Sequence, residues 1–205
     1  MRTNLRNGWL VKGAMLALLV GCGATVAGAE SRQLTLDASS SSIRFELPAT
    51  GHDVHGLFQL RSGVIAFDPV AGTASGEIVV DAGSGSSGNG SRDKTMREDV
   101  LEVPKFPEIR FVAERFQGEL PESGDGNVEL AGKIFVHGAS HPLTLQAKVQ
   151  TKGNQVVAET EFPIAFLDWG MKDPSFLFLR VDPVVHVKVS AHGELSSPAG
   201  AAGGV

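Results

Sequence analysis

From Leu34 onward, apolar and polar residues alternate at period two, the pattern of strands with one buried face. Leu34 and Leu36 open it, followed by Ile43, Phe45 and Leu47. Leu57 to Leu60 and Val64 to Phe67 come next, ending at Asp68-Pro69. Ile78 to Val80 run into the Gly/Ser-rich loop Gly83 to Ser91. Further lines are Ile109-Phe111-Ala113, Val128 to Val136, Leu143 to Val149, Ala158 to Phe166, and Val185 to Ala191. Turn residues such as Gly138-Ala139-Ser140 and Lys152-Gly153-Asn154 separate most of them. The pattern predicts about eight strands in one antiparallel barrel or sandwich.

One stretch breaks the period. Residues 92 to 101 carry crowded charges followed by Val100 and Leu101, and Pro104 and Pro107 stand behind them. Proline removes a donor and disfavours helix in the residue before it. The run predicts a single short helix near Asp93 to Leu101, a stop, and a new strand at Ile109.

A closed barrel of about eight strands either fills with side chains or holds one small ligand. Phe45, Phe58, Phe111, Phe162 and Phe166 are the large residues on the apolar phase, with Ile134 and Ile164 beside them. They line a ligand tunnel or fill a dry core; periodicity identifies the inner face and leaves both readings open. Trp169, in the polar loop Asp168 to Ser175, either caps a barrel mouth against a ligand or packs as a satellite of the core.

The first 29 residues predict an export leader. Arg2, Arg6 and Lys12 are basic, Ala14 to Val20 is apolar, and Ala27-Gly28-Ala29 is a small-x-small cleavage site before Glu30. Leu19-Val20-Gly21-Cys22 is also similar to a lipobox, in which Cys22 is lipidated and attaches the chain to a membrane. Cys22 is the only cysteine, so no intrachain disulfide forms. The expected organisation is a leader at 1–29, one barrel domain at 30–195, and a Ser/Pro/Ala/Gly tail at 196–205. The destination is the periplasm or cell envelope. Losing Arg2, Arg6 and Lys12 from 18 basic residues leaves 15 against 23 acidic ones, a charge of −8. Such a domain is a poor match for nucleic acid, whose affinity rests on neutralising phosphates.

Catalytic signals are weak. No Gly-x-Ser-x-Gly elbow is present, and neither Asp37 nor Asp68 has a partner for acid–base work. His52 and His55 are three apart, and His137 and His141 four apart. A metal site needs three or four convergent ligands, so no metal or other cofactor is expected. His186 and His192 fall on the polar phase of the last strand. Arg92 and Asp93 either pair with each other across a strand end and anchor the helix or, in Arg92's case, face an anionic head group.

The ordered motifs of the chain resemble the YceI-like family over about residues 33 to 195. Asp37 through Phe45 is similar to the family's opening strand, Val54-His55-Gly56-Leu57-Phe58 to its Val-x-Gly-x-Phe, and Gly63 to Asp68 to the strand that follows. Arg92-Asp93 through Phe111 resembles the helix-plus-strand signature. Gly132 to Gly138 with His141 to Leu145 resembles its paired strands around a short turn. The resemblance implies an extended lipocalin-like barrel that binds a long apolar molecule, such as a polyisoprenoid, an isoprenoid quinone or an amidated fatty acid, without catalysis. It favours the filled tunnel. One stretch departs: family members often carry a histidine soon after the first-strand phenylalanine, where this chain has Leu47-Pro48-Ala49. His52 comes later, and no head-group role is transferred to it. The other readings are an envelope hydrolase and an interaction module with a dry core.

Overall fold

The computed structural model describes residues 31–175 and 180–196. The expected leader, Cys22 and residues 197–205 of the tail lie outside the described residues. Nine strands follow one another: β1 (Arg32–Leu36), β2 (Ser42–Leu47), β3 (Val54–Asp68), β4 (Thr73–Ser86), β5 (Glu108–Gly118), β6 (Ser123–Val136), β7 (Ala139–Lys152), β8 (Gln155–Ile164) and β9 (Val185–Ser196). Every pairing is antiparallel, and β3–β4 closes the sheet into a barrel. β1 and β2 each pair with both β3 and β9, so together they form one interrupted stave. Nine strands thus make an eight-stave barrel, as the alternation predicts. Closure leaves no sheet edge unpaired around the circumference except where a ladder stops short.

The two runs expected as separate strands, Leu57–Leu60 and Val64–Phe67, belong to one 15-residue strand, β3. A register shift against β4 between Leu60 and Ser62 carries the chain through Arg61-Ser62-Gly63 without ending the ladder. Such a bulge adds one residue, so the inward phase changes from Phe58 and Leu60 to Ile65 and Phe67. A second shift between Ala113 and Arg115 does the same in β5. The expected β8 line reaches Phe166, whereas the strand ends at Ile164 and Ala165 begins a compact turn.

The helix starts earlier than predicted. The Asn89 side chain accepts from Ser91 N and Arg92 N, both at 3.1 Å, and caps α1 (Gly90–Thr95). A π-helical turn (Met96–Val100) follows, with Leu101 N donating to Met96 O at 2.9 Å. Its wider winding sets Met96, Val100 and Leu101 on one apolar face toward the barrel. This insert, the β2–β3 connection, the β6–β7 turn and the described residues between β8 and β9 lie at one end of the barrel.

Candidate functional site: an apolar barrel interior with a polar mouth

The inward phases of all nine strands enclose a cavity of about 690 Å³. Its floor is formed by Phe67 and Phe116, stacked with ring centroids 4.5 Å apart, and by Leu120. Phe45, Phe58, Phe111, Ile134, Phe162, Ile164 and Phe166 line it, seven of the eight residues expected to do so. Phe45 and Phe58 meet at 5.5 Å and 47°. Phe45 sits opposite Gly56 across the β2–β3 ladder, where a Cβ would lie 2.3 Å from the ring. The spacing of Val54, Gly56 and Phe58 thus has a steric reason. The middle position must be empty for the neighbouring aromatic to lie flat on the strand.

The volume of the interior bears on the choice between tunnel and dry core. As a packing defect, 690 Å³ would cost roughly 17 kcal/mol at about 24 cal/mol per Å³. That exceeds the whole stability of a typical domain, about 5–15 kcal/mol. The interior is therefore not packed like an ordinary core.

Trp169 is the expected residue that the structure does not bring to the cavity wall. Ala165 to Met171 fold into turns, and the indole stacks on the His141 imidazole with centroids 4.1 Å apart and planes 3° apart. His137 is held elsewhere: its Nε2 lies 2.8 Å from Glu102 Oε2. His137 and His141 therefore have separate partners. Among the described residues, no three His, Cys, Asp or Glu side chains cluster as metal ligands.

The polar mouth went largely unread in the sequence. Thr50, His52, Ser87, Asn89, Ser91, Arg92, Thr95 and Arg180 border the cavity at the end that carries α1. Arg92 and Asp93 do not pair with each other as proposed; both bond to Ser87. Arg92 Nε donates to Ser87 Oγ at 2.8 Å, and its Nη2 to Ser87 O at 3.0 Å. Asp93 accepts from Ser87 N at 2.7 Å and from Ser87 Oγ. The Ser87 hydroxyl bond holds the buried Asp93 carboxyl below the usual carboxylate range, helped by Arg97. Arg92 is thus fixed along one side and still faces the cavity. Thr50 N donates to Arg180 O at 2.8 Å, joining the β2–β3 connection to the approach to β9. His52 reaches the mouth because that connection folds back over it, which strand spacing does not reveal.

The fold and interior define a lipocalin-like antiparallel barrel around an apolar compartment. The chain belongs to the YceI-like family: the profile of the YceI-like domain matches residues 34–193. A UPF0312 protein of Shewanella denitrificans is 27% identical over 193 residues, covering 85% of this chain and 97% of its own. UPF0312 protein VPA0850 of Vibrio parahaemolyticus is 27% identical over 132 residues, covering 62% of this chain and 68% of its own. The fold matches a polyisoprenoid binding domain from Saccharophagus degradans at TM-score 0.64 and 18% identity, over 80% of this chain and 98% of that one. It also matches Burkholderia cenocepacia BcnA at TM-score 0.59 and 15% identity, over 77% and 98%.

Proposed function

We propose that this protein is an exported, non-catalytic carrier that sequesters one long-chain isoprenoid, isoprenoid quinone or related lipid in its barrel. The observation that carries this reading is the 690 Å³ interior, lined mostly by apolar side chains, with its polar residues gathered mainly at one rim. It is several times the roughly 150 Å³ that takes up a benzene-sized guest. The polyisoprenoid-binding domain of the same fold supports the ligand class. Each buried methylene contributes about 0.8 kcal/mol, so about twenty contribute roughly 16 kcal/mol. Association itself costs about 4–15 kcal/mol, so a long chain is retained and a short one is not. Arg92, Arg180, Asn89 and His52 suit a head group that accepts hydrogen bonds. The leader supports delivery to the periplasm or cell envelope, with Cys22 either lipidated or removed with residues 1–29.

Native mass spectrometry and organic extraction of protein purified from its own host test the reading. One stoichiometric long-chain lipid is expected. Phe111→Leu and Phe162→Leu should stay folded and change the bound lipid's occupancy or chain length. A wild type that yields no lipid and takes up none sinks the carrier function. Intact mass settles the leader: a chain starting at Cys22 with a diacylglyceryl increment means anchoring, one starting at Glu30 means simple cleavage, and retention of Met1 refutes export.

A further inference from the structure

The ladder between β7 and β8 stops well short of the ends of both strands. β7 and β8 pair only from Ala147↔Thr160 to Lys152↔Gln155. β7 nevertheless continues to Ala139, fully paired with β6, and β8 continues to Ile164, fully paired with β9. Between residues 139–146 and 161–164 the two strands run on without bonding to each other. The last link is a side chain, Thr160 Oγ1 donating to Gln146 O at 2.7 Å.

The sequence maintains this gap. Continuing the register would set Pro163 opposite Thr144 and Pro142 opposite Ala165. Both prolines lie in the unpaired halves, both are exposed, and neither has an N–H to give a ladder. Directly behind the gap are cavity residues: Leu143 and Leu145 on β7, Phe162 and Ile164 on β8. These four are half-buried and face the cavity.

The turn 165–171 continues β8 past the gap and supplies the segment that can cover it. Its backbone bonds are internal, from Trp169 N to Ala165 O, Gly170 N to Leu167 O and Met171 N to Phe166 O. Its contact with β7 is the stack of Trp169 on His141, and His141 Nε2 is buried without a hydrogen-bond partner. Lys172, one residue on, reaches Asp99 at 3.0 Å through an exposed ion pair, which is worth little. The cover is thus held by aromatic contact and packing, with an unmet polar atom beneath it. Such a seal separates more readily than a ladder of backbone bonds.

We propose that the β7–β8 gap is a side portal for the ligand's chain, gated by Trp169 swinging off His141. This rests on the carrier reading above. A long chain then enters broadside while its head stays at the mouth, instead of threading the length of a closed barrel.

The test is stopped-flow uptake and release of a pyrene-labelled hexadecanoic acid by the full chain. Trp169→Ala should speed both rates by about two- to tenfold, the factor an aromatic stack contributes to an opening equilibrium, and leave Kd unchanged. Trp169→Phe should stay near wild type. Pro142→Thr with Pro163→Thr restores two donors at exposed positions; it should slow both rates and protect new amides in hydrogen exchange. Unchanged rates in Trp169→Ala, with binding intact, overturn the portal and leave the carrier reading standing. A wild type that takes up neither the probe nor a polyprenol, and yields no lipid on extraction, removes both.

Discussion

Gly56 has no side chain because the Phe45 ring occupies the space a Cβ would need, and Ser86 O lies 2.6 Å from the same point on the other side. Gly56→Ala must therefore displace the ring or the β4 backbone. Overpacking of this kind costs about 1–3 kcal/mol, readable as a lower urea midpoint at unchanged slope. Asp37 argues a different residue-level point. Its carboxylate accepts from Ser40 Oγ, Ser39 Oγ and Ser39 N, and the Ser40 bond leads in lowering its pKa to about 2. A depressed folded pKa contributes stability that is present above the unfolded value, near 3.8, and is lost as pH falls toward about 2. Asp37→Asn should flatten the stability-versus-pH curve between those limits and leave it nearly parallel above pH 5. An unchanged acid limb would refute the role. Phe45 and Phe111 were readable at this scale because each occupies a strand position whose phase is unambiguous. His52 and Trp169 were not, because their positions depend on how loops fold over the barrel end.

Period two identifies a strand's inner face only while the ladder keeps step. The shifts at Leu60/Ser62 and Ala113/Arg115 exchange inner for outer halfway along β3 and β5. This is why Phe116, stacked on Phe67 at the floor, carries no signal when the pattern is read as one line. The helix was legible as an interruption, and its start was not, since Asn89 caps it from within a Gly/Ser-rich loop. Its anchor is Asp93. The Ser87 bonds favour the charged carboxylate, so that tether is intact near neutral pH and weakens as pH falls below the ordinary carboxylate range. Asp93→Asn should loosen the element and not the barrel. Hydrogen exchange at neutral pH is expected to rise roughly tenfold over residues 90–100, while β6 and β7 keep their protection. A uniform loss across all strands would mean that Asp93 supports the whole fold.

At the scale of the molecule, closing the sheet and leaving its interior unfilled are one design with two consequences. The closed wall supplies rigidity through backbone bonds, so the core need not be packed to hold the shape. The interior then becomes the place where binding energy and stability meet. A guest that binds only the folded barrel stabilises it by mass action, by about 2.7 kcal/mol at a hundredfold excess over Kd. For a chain of this size each kcal/mol moves Tm by about 2–4 °C, so reloading stripped protein should raise Tm by roughly 5–11 °C. Calorimetry of extracted protein, with and without added polyprenol, measures it. A short alcohol at the same excess over the protein should give almost nothing, because a few methylenes do not meet the cost of association. Equal shifts from both alcohols would mean that the compartment does not select for length. The long-chain reading would then fail even though the barrel binds.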